Sequence, residues 1–146
     1  MPRSVKLAST LLIGAILGGF SAGCGRSDIP RLAHVHGKAT HAGQPLADVT
    51  VYFEPEKGRP CTGATNADGE YVLAYDRRHE GAPAGKYRVW LAYIPRSPEQ
   101  DIKLQMGQAT LPDPYPAVLE KYGNRTTSPM EVEVRPGNAE LDLAFD

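Results

Sequence analysis

His34 and His36 stand two residues apart in an alternating run, so both imidazoles leave one face of an extended strand, as they do where a Zn, Cu or Fe site begins. Two ligands leave such a metal half-coordinated. A third would have to come from His41 or His79 through loops of unspecified geometry, so solvated strand residues are the simpler reading. Asn66, Asp68 and Gly69 echo three positions of a calcium loop. Ala64 and Tyr75, however, occupy the places of its first and last acidic ligands, and the segment reads as a turn. Trp90 lies on the outward phase of a strand, with Tyr93 and Tyr115 after it, and such rings stack on a sugar or on a partner protein. No phosphate loop, serine nucleophile elbow or HExxH is present. The expectation is therefore a chain with no catalytic residue, resident metal or cofactor, and with Trp90, Tyr93 and Tyr115 as its contact surface. The alternative is a small hydrolase or metal-dependent enzyme built on His34 and His36.

The first residues carry an address. Arg3 and Lys6 precede an uncharged run from Leu7 to Phe20, too short for a permanent span of a ~30 Å hydrocarbon layer and suited to a signal peptide. Ser21, Ala22 and Gly23 lead into Cys24, which resembles a bacterial lipobox with Ser21 in place of the customary Leu. That resemblance implies cleavage before Cys24 and lipid on its thiol, with more than one acyl chain and hence stable anchoring. Residues 1–23 are then the signal, 24–31 a lipidated tether and 32–146 the domain. Such a protein is exported and held at the cell envelope. Lipidation leaves Cys61 a lone thiol; without it, Cys24 and Cys61 could form one disulfide.

Charge narrows the partners. Without residues 1–23 the chain keeps 14 basic and 17 acidic groups, a net charge of −3, which argues against the extended basic face of a nucleic-acid binder. Nucleic acid is thus not expected; a membrane held through the lipid, and an envelope protein or polysaccharide, are. The 146 residues include 15 Gly and 13 Pro but are 41% apolar, a balance that fits a turn-rich β domain rather than a disordered chain.

Period-2 alternation then marks the strands. Val35, Gly37 and Ala39 share one face; Val49, Val51 and Phe53 another; a strand follows from Pro60 to Thr65, and Tyr71 with Leu73 forms the next. Tyr87, Val89, Leu91 and Tyr93 continue the series, closed by Met130, Val132 and Val134 and then Leu141, Leu143 and Phe145. The expected fold is all-β, a seven-stranded Greek-key sandwich of prealbumin-like or Ig-like type. Between strands five and six, Ile94 to Ser128 carries five prolines and reads as an insertion with one short helix from Pro116 to Tyr122, packed by Val118 and Leu119. Its Ile102, Leu104 and Met106 are expected to find cover by folding over Trp90. An exposed apolar patch around Trp90 would instead suit a structural subunit of an envelope assembly.

Four segments carry a family resemblance: HVHGKATHAGQPLADVTVYFEP from His34, GATNADGEYVL from Gly63, GAPAGKYRVWL from Gly81 and the closing KYGNRTTSPMEVEVRPGNAELDLAF from Lys121. Together they resemble the carboxypeptidase regulatory-like, or prealbumin-like (transthyretin-like), sandwich of small bacterial lipoproteins, over roughly residues 35–145. The resemblance implies an exported accessory or binding domain of unassigned ligand. The His pair also looks like that of intradiol dioxygenases, but there the tyrosine ligands precede the histidines, and here every Tyr follows them.

Overall fold

Ten residues of strict alternation make β1 (Leu32–His41), whose Ala33, Val35 and Ala39 are buried while His34 and Lys38 face solvent. The computed structural model describes residues 29–146; the expected signal segment, Cys24 and most of the tether lie outside that range. β1 turns back into β2 (Gln44–Pro45) through Ala42 and Gly43, at φ 49° and 76°. Positive φ at both central residues is what a two-residue hairpin with the right-handed strand twist requires.

Six strands form one sheet, in which the other five all pair with β1. β2, β5 (Glu70–Val72) and β6 (Ala82–Pro83) lie antiparallel to it, while β9 (Asn138–Glu140) and β10 (Leu143–Ala144) run parallel. The second sheet has the order β4-β3-β7-β8, from β4 (Cys61–Ala64), β3 (Val49–Pro55), β7 (Gly85–Tyr93) and β8 (Met130–Val134), antiparallel throughout. The all-β sandwich is thus the architecture, with ten short strands in place of the seven expected. β2, β6 and β9 span two or three residues each, too few to show a period in sequence.

Phe53, Phe145, Leu46, Leu73 and Leu91 are fully buried between the sheets, each contributing ~1.5–3 kcal/mol by burial. The one buried threonine and the one buried serine among the described residues are both satisfied. Thr65 Oγ1 accepts from Val49 N at 3.1 Å, and Ser128 Oγ donates to Val89 O at 2.5 Å. The turn read at Asn66 is present as well: its side-chain oxygen accepts from Asp68 N and Glu70 N at 3.0 and 2.9 Å.

The insertion holds two helices, not one. α1 (Pro98–Gln105) was hidden among the prolines; Ser97 caps it by accepting from Gln100 N, with Pro98 in its first turn and Glu99 and Asp101 beside its N-terminal dipole. α2 (Tyr115–Tyr122) matches the expected helix, buries Val118 and adds Tyr115 and Tyr122, while Leu119 is only half-buried. The cover expected for the insertion's side chains is only partial: Leu104 is half-buried, but Ile102 is 54% and Met106 65% exposed. Polar contacts fasten α1 instead, through Arg96 on Asp48 at 2.6 Å and Gln100 Nε2 donating to Tyr93 Oη at 3.4 Å. The helix therefore has no need of an apolar seat.

Candidate functional site

Each residue singled out from sequence within 29–146 has a definite place, whereas Cys24 lies outside the described residues. His34 and His36 do share the outer face of β1, with ring centroids 5.4 Å apart, His34 exposed and His36 half-buried. Neither proposed third ligand comes near them as a free imidazole. His41 Nδ1 donates to Phe145 O at 2.5 Å, and His79 Nδ1 lies 2.8 Å from Asp76 Oδ1. Among the described residues no group of three or more His, Cys, Asp and Glu side chains converges to hold a metal ion.

The expected aromatic surface divides. Trp90 is half-buried on the outer face of the four-stranded sheet, stacked on its cross-strand partner Tyr52 with centroids 3.9 Å apart and planes 8° from parallel. Its indole N–H donates to Glu54 at 3.4 Å, and Arg125 lies 3.9 Å from the same carboxylate. Tyr115 does not belong to any contact surface. It is buried, its ring edge against Tyr93 at 4.8 Å and its hydroxyl donating to Ala47 O at 2.8 Å. Because Tyr115 begins α2, the turn of helix that buries Val118 buries it too. Tyr93 is half-buried in the same contact.

A different feature dominates the opposite end of β7. Where β1 begins, β3 ends and β7 starts, three adjoining clefts open, with volumes of about 550, 610 and 420 Å³. Arg59 lines all three, and Tyr75 two; Ile29 and Pro30 lie in their walls. Five cations border them, Lys57, Arg59, Arg77, Arg78 and Lys86, against two carboxylates, Glu56 and Asp76. All five cations are exposed, and among the described residues none has a carboxylate within 4.0 Å.

Asp76 is already committed to its own loop. Its Oδ1 accepts from Arg78 N at 2.8 Å, His79 N at 3.0 Å and the His79 ring at 2.8 Å. The Arg78 backbone N–H, and after it the His79 ring, hold this carboxyl below the usual range. Arg59 spreads its guanidinium over the Tyr75 ring, 5.1 Å from the centroid. The opening thus sets an aromatic ring beside exposed guanidinium and ammonium groups, the side-chain types that suit anionic ligands.

The charge of the domain is correspondingly polarised. This end carries a local balance of +3, while the other eight cations and fourteen carboxylates of residues 29–146 leave −6. Sequence reading missed this, because Lys57 and Arg59 are separated from Arg77 and Arg78 by two strands. Each pair alone looks like a solvated loop.

Cys61 lies just inside that end, fully buried on β4, and burial pushes its thiol up to about 11. It is an inert packing residue at neutral pH.

No family model matches the chain, and no curated protein matches it. Among solved structures it is similar to a DUF3823 family protein from Parabacteroides merdae, at 16% identity and a TM-score of 0.42. The match covers 80% of this chain and 46% of that one, so the chain spans under half the length of that structure.

Proposed function

We propose that this chain is a lipid-anchored, non-catalytic accessory module of the cell envelope, a carboxypeptidase regulatory-like, prealbumin-like sandwich exported by its signal segment and held through Cys24. The observation that carries the reading is where the chain joins the sandwich. Ile29, five residues after Cys24, lies in the wall of the cationic clefts, so a lipid on Cys24 leaves the outer faces of both sheets and the insertion free for an envelope protein or polysaccharide. The Trp90–Tyr52 stack on one of those faces supplies a planar apolar contact of the kind that receives sugars or partner side chains.

The test is expression in a bacterial host with radiolabelled fatty acid. The native chain is expected in the membrane fraction with label attached, and the Cys24→Ala variant in the soluble fraction without it. A Cys24→Ala protein that remains in membranes through carbonate washing overturns the anchor.

A further inference from the structure

Lipidation at Cys24 would tie the domain to a membrane, but a point of attachment alone leaves its orientation undetermined. The distribution of charge supplies the missing constraint. From Cys24 to Ile29 the chain reaches at most about 17 Å when fully extended, so the end of the sandwich that contains Ile29 is never far from the bilayer surface. That is the end bordered by Lys57, Arg59, Arg77, Arg78 and Lys86, all exposed and none within 4.0 Å of a carboxylate among the described residues. The remainder of the domain carries a net −6 and is repelled by the same surface.

We propose that the cationic end formed by Lys57, Arg59, Arg77, Arg78 and Lys86 is a docking surface for anionic phospholipid headgroups, which seats the sandwich end-on upon the membrane that holds its lipid. This inference rests on the anchored reading above and adds to it a second, non-covalent membrane contact. Phosphate oxygens suit the two neighbouring guanidinium groups of Arg77 and Arg78, which lie on an exposed loop, and the clefts on either side of Arg59 are wide enough for headgroups to enter. Screening limits the attraction to roughly 8 Å at physiological salt, so it acts only if the tether holds the surface close, as its length allows. The geometry also fixes what points away. β7 runs nine residues from Gly85 at the cationic end to Tyr93, about 27–30 Å, and α1 with its exposed Ile102 and Met106 follows at the far end.

The experiment uses the full lipidated protein, purified from membranes and reconstituted into vesicles of phosphatidylcholine alone or with 30% (roughly a third) phosphatidylglycerol, a fraction chosen to set a negative surface potential. Flotation reports anchoring and limited trypsin digestion reports orientation. The expected result is flotation with both vesicles, and cleavage after Arg77 and Arg78 slowed about tenfold on the anionic ones, with cleavage after Lys103 on α1 unchanged. High salt should remove the protection, and a Lys57→Gln/Lys86→Gln variant, with both substitutions at exposed side chains, should weaken it severalfold.

Flotation with both vesicles and equal cleavage at Arg77 and Arg78 overturns the docking surface while leaving the anchor intact. Salt-sensitive flotation with anionic vesicles only, by a protein carrying no lipid, overturns the anchor and retains the docking surface. Flotation with neither overturns both. Protection undiminished in the double variant and at high salt overturns the assignment to these cations.

Discussion

Gly37→Ala tests the closure of the sandwich at its most crowded point. Gly37 lies in the middle of β1, and a Cβ there would fall 2.0 Å from Leu141 O and 2.5 Å from the carbonyl carbon, against a normal minimum above ~3.0 Å. Both clashing atoms are backbone, so relief requires the chain around Leu141 to retreat by at least about 1 Å. That movement stretches Leu141 N–H to His36 O at 2.8 Å, Tyr71 Oη to Leu141 O at 2.6 Å and Lys38 N–H to Asp142 Oδ1 at 2.8 Å. Overpacking costs ~1–3 kcal/mol and each of the three weakened hydrogen bonds about 1 kcal/mol, so the expected loss is roughly 4–6 kcal/mol. In a domain of this size that lowers Tm by about 15–30 °C. Gly43→Ala is the control: Gly43 has φ +76° but open space around its Cβ, so only ~1 kcal/mol of left-handed strain is expected. Thermal and urea unfolding, followed by far-ultraviolet dichroism, compares the two. A Gly37→Ala protein no less stable than Gly43→Ala would refute the close approach of β1 to the C-terminal segment.

Three further outcomes follow from the core and the histidines. The Cys61 thiol keeps its proton to about pH 11 when folded and releases it near 9 when unfolded, so its contribution is complete below pH 9 and disappears as pH rises through 11. Denaturant midpoints should therefore fall by an equivalent of about 1 kcal/mol between pH 8 and 10 in the native protein but not in Cys61→Ala; burial also raises Tyr87, to about 12, so both proteins decline further above pH 10. Identical profiles below pH 10 would discount the buried thiol. Phe145→Ala empties a fully buried site whose ring meets Tyr122 edge-on at 5.1 Å, and a loss of ~3–5 kcal/mol is expected in urea titration; a loss under about 1 kcal/mol would place that ring outside the core. Added Zn should leave Tm unchanged, and a stabilisation abolished by His36→Ala would establish the metal site that His34 and His36 alone do not complete.

Strands whose side chains alternate between core and water were readable from residue types alone, as β1, β3 and β7 show. β2, β6 and β9 were not, because with two or three residues each they pair along β1 without enough length to show a period. α1 left a capping signature at Ser97, Pro98 and Glu99, but it buries no residue, so no apolar period advertised it. Tyr115 misled because an aromatic ring in a Pro-rich stretch has no phase; only helix geometry turned it inward. The cationic end is a product of topology, since β4 and β5 must form before Arg59 and Arg77 face the same clefts.

The dependence of the whole six-stranded sheet on β1 has a consequence for the order of folding. β1 is made early, yet its parallel neighbours β9 and β10 pair with it only through residues 138–144, about a hundred positions later. Loop closure over such a distance is slow, so during synthesis the nascent chain waits with its central ladder half empty. A polypeptide that cannot close before residues 138–144 emerge stays threadable until then, and a chain interrupted ahead of residue 138 would leave that ladder permanently open.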